Sequence, residues 1–285
     1  MSHGCAALAL VGLALVCADV GAQGNMLTIA ANPNLSAIEL INNFGAFAKA
    51  LEQELGMKVS VVSGKDYEDT IGQLRNAKVD IAGTGAYGYV TAREAFGAKM
   101  IVRYVEEGGD AYHSVIIVRA DSGIDSLKNL KGKRFAFTDA KSTSGYLMPV
   151  LALEKQGIAV KDLAKVEFVK KQPNSAIAVF SRQVDAAAMA DNQLNEKYGV
   201  KLAELKTIWT SAPIPHGVWM ARADMADAEV RRIARAILKV AQYSDVKQSL
   251  AKASVHGFVE GHESDFDGVR AAKQLLEKLE SHDKP

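Results

Sequence analysis

The chain is short of cysteine, of unbalanced charge and of long apolar runs, and each shortage removes a class of function. Of its 285 residues only Cys5 and Cys17 are cysteines. Everything after them lacks a thiol for a disulfide, a metal or a nucleophile. The 34 lysines and arginines meet 33 aspartates and glutamates, with no run of one sign. Such a chain has no field to hold nucleic acid or an anionic membrane surface. A transmembrane helix needs about 20 consecutive apolar residues. The longest uncharged apolar run, residues 5–18 (CAALALVGLALVCA), has 14.

That run is followed by the small residues Gly21 and Ala22, which is the pattern of a secretory signal peptide over residues 1–22, cut before Gln23. No lysine or arginine precedes the run, so a buried N-terminal helix is the competing reading. Val16 stands before Cys17 where a lipoprotein signal has a small residue. Cleavage would leave a mature chain with no cysteine and a formal charge of +2, because Asp19 goes with the segment. The expected compartment is the periplasm.

What is present is a foldable soluble chain, 48% hydrophobic and 24% charged. Short β-rich runs at 27–31, 59–62, 79–82, 100–105, 114–119, 134–138, 166–169 and 186–189 alternate with helical patterns. The helices are expected at 37–55, 67–76, 146–156, 226–243 and 266–281, the last part of the chain being mainly helical. In the first, Ile38, Ile41, Phe44, Phe47, Ala48 and Leu51 recur at helical spacing. This alternation predicts an α/β protein with largely parallel sheets. Residues 106–110 (EEGGD) and 211–215 (SAPIP) punctuate it. They suggest a second lobe, 108–211, inserted between a first part, 23–107, and a return segment, 212–285, with a hinge and a ligand cleft between the lobes.

Two segments carry candidate chemistry. Residues 78–88 (KVDIAGTGAYG) contain Gly83-x-Gly85-x-x-Gly88 after a predicted strand, with Glu106 ending the next one. By pattern this is a dinucleotide fingerprint. Its place on the third strand and the bulky Tyr87 in the close-approach turn favour a plainer strand-to-helix turn with free N–H groups. Ser142, Thr143, Ser144 and Gly145 run into an apolar stretch. Hydroxyls and N–H groups at a helix start can cradle an oxyanion or simply cap the helix. Pro149, a turn inside, predicts a kink or a later helix start. His256, His262, Glu260 and Glu263 have no metal-site spacing, and no nucleophile elbow is present.

Residues 121–149 (DSGIDSLKNLKGKRFAFTDAKSTSGYLMP) resemble the phosphonate/phosphite/phosphate-binding family of periplasmic proteins, the substrate-binding components of ABC transporters. The resemblance continues through Asp66-Tyr67, residues 79–89, Tyr112-x-Ser114, residues 178–187 and residues 208–215. It implies a type II periplasmic-binding-protein fold, a small oxyanion ligand, a membrane permease partner, and neither a cofactor nor catalysis. It places Tyr67, Tyr87, Tyr112, Ser142, Thr143 and Ser144 at the ligand. Where phosphonate binders commonly carry a histidine in a Gly-Ser-His run, this chain has Lys171-Gln172-Pro173. Where the family often shows Pro-Asn-Asp, it has Pro215-His216-Gly217. Gln172 and His216 therefore join the expected set, and Asp191 is the one carboxylate expected to reach a ligand's ammonium. That favours an amine-free anion such as phosphite, a small alkylphosphonate or phosphate. A sensor subunit, or an enzyme on the same scaffold, is the alternative function.

Overall fold

The computed structural model describes residues 1, 26–31, 37–106, 109 and 111–282. Apart from Met1, the expected signal peptide lies outside them. No described helix is long and apolar enough to cross a membrane. In chain order the strands are β1 (Met26–Ala31), β2 (Lys58–Ser63), β3 (Ile81–Thr84) and β4 (Lys99–Glu106), then β5 (Ala111–Tyr112) and β6 (Ser114–Arg119). They continue with β7 (Arg134–Phe137), β8 (Lys165–Phe168), β9 (Ala186–Ala190), β10 (Leu205–Thr210), β11 (Ile214–Pro215), β12 (Val218–Ala221) and β13 (Val255–Val259). The helices are α1 (Ala37–Leu55), α2 (Tyr67–Arg75), α3 (Ala86–Phe96), α4 (Met148–Lys155), α5 (Gln172–Phe180), α6 (Asp227–Val240), α7 (Ser244–Ala251) and α8 (Asp267–His282).

One sheet has the order β13-β4-β12-β3-β1-β2 and the other β10-β6-β9-β7-β8. The sheets are mixed rather than largely parallel. β1 pairs in parallel with β2 and β3, whereas the returning β12 inserts antiparallel between β3 and β4. In the second sheet β7 is parallel to both neighbours, while β6 runs antiparallel to β9 and β10. The chain returns at the end of the sheet from which it left, so β12 starts beside the end of β4, Val218 opposite Arg103, and runs back to Ala221 opposite Lys99.

Between the sheets the chain crosses twice, and the two crossings pair with each other. β5 and β11 form a two-stranded antiparallel ribbon with Tyr112 opposite Ile214 and Ala111 opposite Pro215.

Three differences from the sequence reading have local causes. The buried stripe of α1 is Leu40, Phe44, Phe47, Leu51 and Leu55, whereas Ile38 and Ile41 are 72% and 73% exposed. The helix is rotated so that Phe44 and Phe47 meet the fully buried Trp219, at ring separations of 6.2 and 5.3 Å. β3 starts after Asp80, whose carboxylate takes the Thr28 N–H at 2.8 Å. The tail, expected to be mainly helical, also supplies β12 and β13. Val255, Gly257 and Val259 of β13 read as a short strand only in the context of β4.

Candidate functional site

The segment 142–149 shows how one proline shapes a site. Thr143–Leu147 is a single π-helical turn that leads into α4, with Pro149 in its first turn. An N–H at 149 would bond the Gly145 carbonyl, but proline has none. That carbonyl instead accepts the Thr138 N–H at 3.0 Å, while Leu147 N–H reaches back to the Ser142 carbonyl at 3.1 Å. The wider turn satisfies the backbone and presents three consecutive hydroxyl residues at the helix start, all of them buried. A side chain at Gly145 would come within 2.3 Å of Thr138 Oγ1.

Gln172, the first residue of α5 and 3% exposed, sets the direction of those hydroxyls. Its Oε1 accepts from Ala190 N–H at 2.9 Å, which fixes the amide orientation. Its Nε2 then donates to Ser142 Oγ at 3.2 Å and to Ser144 Oγ at 3.3 Å. Ser142 Oγ also accepts the Gly145 N–H at 3.0 Å. With both acceptor positions of Ser142 in use, its proton is left to donate outward. The same oxygen thus caps the turn and keeps a proton to donate.

Thr143 reaches across to the first sheet, where its Oγ1 accepts the Tyr87 N–H at 2.8 Å. Tyr87 lies in the first turn of α3, which Gly85 caps, and a side chain at Gly85 would press on Thr143 Oγ1 at 3.3 Å. This close approach consumes the glycine-rich turn. The segment is a strand-to-helix turn, and the Tyr87 N–H, expected to be free, is taken by the Thr143 hydroxyl. Tyr112 bonds Ser144, and burial pushes its phenol well above its usual pKa, so it stays a proton donor. Tyr67, the first residue of α2, is 4% exposed.

The opposite end of the cleft is built on the crossings. The ribbon pairing lays Tyr112 on His216, ring centroids 5.1 Å apart and 18° from parallel. His216 Nδ1 lies 3.6 Å from Glu106 Oε2, which accepts from Asn192 Nδ2 at 2.6 Å. Burial pushes the Glu106 carboxyl up to about 7, against the lowering effect of the Asn192 hydrogen bond and with the charge of Asp191 raising it further. The cleft has a volume of about 440 Å³, its open mouth included, and among the described residues no lysine or arginine lines it. No cluster of three or more possible metal ligands exists among the described residues.

Residues 29–266 match the family model of the ABC-transporter phosphonate periplasmic substrate-binding proteins. The chain belongs to this family. It is 28% identical over 270 residues to the phosphate-import protein PhnD of Mycolicibacterium smegmatis, covering 86% of this chain and 84% of that one. It is 35% identical to the phosphonates-binding periplasmic protein of Escherichia coli K12 over 181 residues, 59% of this chain and 52% of the other. Among solved structures, PhnD1 of Prochlorococcus marinus in complex with methylphosphonate superposes with a TM-score of 0.78 at 22% identity. That match covers 89% of this chain and all but 1% of the other.

In this binding protein the cleft gathers Tyr67, Tyr112, Ser142, Thr143, Ser144, Gln172 and His216 from five separate segments. Two expected residues fall elsewhere. Tyr87 contributes its backbone N–H to Thr143 and does not line the cleft. Asp191 does not line it either: its carboxylate accepts from the backbone N–H groups of His113 at 3.0 Å and Asn192 at 2.8 Å, and lies 3.1 Å from His113 Nδ1. The carboxylate that does line the cleft is Glu106, accompanied by Tyr104, Asn192 and Gln193. The sequence holds one signal for it. Glu106 ends a strand at a punctuation point, and strand ends at a crossing are where α/β clefts form.

Proposed function

We propose that the protein captures a small phosphorus oxyanion, of the phosphonate, phosphite or phosphate type, in this cleft and presents it to a membrane permease. The two sheets are the lobes, with residues 23–107 and 212–285 forming one and 108–211 the other. The β5–β11 ribbon is the hinge, and residues 1–22 are the export signal. The observation that carries the reading is the set of buried neutral donors. Ser142, Thr143, Ser144, Tyr67 and Tyr112 converge where, among the described residues, no lysine or arginine is present to trap the anion. Hydroxyls and N–H groups replace the hydration shell without the deep well a lysine or arginine would create, which suits a carrier that must release its cargo.

The same hydrogen bonds argue against catalysis. Ser142 has both lone-pair positions occupied by N–H donors, and a serine in that state is a donor, not a nucleophile. The methylphosphonate in the Prochlorococcus structure and the phosphate named for the Mycolicibacterium relative support phosphorus oxyanions as the ligand class.

A thermal-shift panel of phosphate, phosphite, hypophosphite, methylphosphonate, aminoethylphosphonate, arsenate and sulfate tests this. A ligand present at 100 times its Kd adds about 2.7 kcal/mol. A shift with sulfate alone, or with no member of the panel, removes the reading.

A further inference from the structure

The sheet edges farthest from the two crossings are β2 in the first sheet and β8 in the second. The loop after each carries a charge, and the two charges meet. Asp66 caps α2 after β2, its Oδ1 accepting the Asp69 N–H at 2.9 Å. Lys170 follows β8, and its ammonium lies 3.3 Å from the other carboxylate oxygen of Asp66. A third group sits behind the lysine. Asp139, two residues past β7 and 1% exposed, holds its Oδ2 4.0 Å from the same ammonium. Its Oδ1 accepts the Lys141 N–H at 2.8 Å, whereas Oδ2 is buried with no hydrogen-bond partner among the described residues. Burial pushes the Asp139 carboxyl above the usual carboxylate range, and the Lys141 N–H and the Lys170 ammonium pull it back.

Lys170 is held in place against a backbone cost. Its φ of 71° is left-handed, a region that residues other than glycine rarely adopt. Its N–H bonds the Thr138 carbonyl at 2.7 Å, which anchors the loop while the side chain reaches out. Strain kept at a lysine where glycine would relieve it points to a use for the ammonium. None of the three charged residues lines the cleft, yet each adjoins a residue that does. Asp66 precedes Tyr67, the Asp139 carbonyl accepts the Ser142 N–H at 2.9 Å, and Lys170 stands two residues before Gln172.

Resting on the two lobes and the ribbon hinge proposed above, we propose that Lys170 is a positioning residue that latches the closed cleft on the side away from the ribbon. It ties Tyr67 of one lobe to the hydroxyls and Gln172 of the other without touching the ligand. On opening, Asp66 leaves with α2 while the ammonium keeps Asp139, so the latch releases without stranding a buried charge. For a given hinge rotation the contacts farthest from the hinge move most. The latch therefore governs how fast the anion leaves and is indifferent to which anion it is.

Stopped-flow displacement of inorganic phosphate and of methylphosphonate from the full mature chain tests this, with calorimetric titration supplying Kd. Asp66→Asn keeps the capping oxygen and removes the charge. It raises the dissociation rate about fivefold, the size expected of a half-exposed ion pair, and by the same factor for each ligand that binds. Lys170→Met does the same, and the double variant adds nothing, because either change alone breaks the pair. Lys170→Arg keeps release slow. If Lys170→Met, which leaves Asp139 without its ammonium, does not fold, Asp66→Asn and Lys170→Arg decide alone. Unchanged rates in the single variants, additive effects in the double variant, or a change confined to one of the two ligands overturns the proposal. Binding of neither ligand by the unmodified protein overturns the oxyanion reading instead.

Discussion

Replacing Glu106 by glutamine tests the electrostatics of the cleft without changing its shape. The glutamine oxygen can still accept from Asn192 Nδ2, so the 2.6 Å contact survives. What is lost is a carboxyl whose pKa burial raises from 4.5 to about 7. In the unfolded chain the group ionises near its ordinary value. Between roughly pH 4.5 and 7 the folded state therefore binds more protons than the unfolded one, and stability falls as pH rises. At about 1.36 kcal/mol per unit the full shift corresponds to about 3 kcal/mol. Glu106 keeps 21% of its side chain exposed, so about 2–3 kcal/mol is the expected size. The facing groups, His216 and Asp191, are common to both proteins, as are all other titrating side chains, so they largely cancel in the difference. Urea unfolding from pH 4.5 to 8.5 should show the two proteins converging at the acid end. Glu106→Gln should become the more stable by about 2–3 kcal/mol above pH 7.5. A difference independent of pH, or one that grows toward acid, refutes the buried-carboxyl argument.

Three further outcomes are expected. Ser142→Ala and Ser144→Ala should each cost about 1.5–3 kcal/mol of methylphosphonate binding, one to two decades in Kd, with the protein still folded; lost thermal stability with unchanged affinity would make the segment only a helix cap. Thr143→Val removes both the acceptor for the Tyr87 N–H and a donor to the anion, so it should weaken binding and reduce the ligand-induced compaction seen by small-angle scattering, and Thr143→Ser should restore both; compaction unaffected by valine would separate Thr143 from closure. The affinity of aminoethylphosphonate relative to methylphosphonate should rise about tenfold from pH 6 to 8.5, because ionised Glu106 attracts the ammonium and repels the amine-free anion; competition titration showing a flat ratio, or the same rise in Glu106→Gln, would remove Glu106 from selectivity.

The alternation of strands and helices was legible because each strand is a short apolar run between turn residues, and α1 and β6 fall where the pattern puts them. The hydroxyl cradle was legible because Ser142, Thr143 and Ser144 are adjacent in sequence. Glu106 and Asn192 were not, because their roles come from pairing across 86 residues. Asp191 misled for the same reason. Nothing local reveals that its carboxylate turns back onto the His113 backbone. Gln172 was placed by resemblance alone, and only its hydrogen bonds to Ser142, Ser144 and the Ala190 N–H show that it aims other side chains. The orientation of α1 depended on Trp219, which arrives from the return strand and selects which of two apolar stripes is buried.

The ribbon that joins the sheets bears on how such a protein could be retuned. Tyr112 belongs to one of its strands, and His216 follows the other by a single residue. On the function and hinge proposed above, a substitution chosen to recognise a different cargo at these positions also alters the stiffness and rest angle of the connector. Gly217 tightens the constraint, because a methyl group there would come within 2.1 Å of the Thr84 carbonyl oxygen. Laboratory selection for a new ligand should therefore accumulate changes at the ends of the cleft, around Asn192 and Gln193, before it touches the connector. A biosensor built on this scaffold would gain from the same fact. A reporter placed beside the ribbon would register flexing and occupancy as one signal.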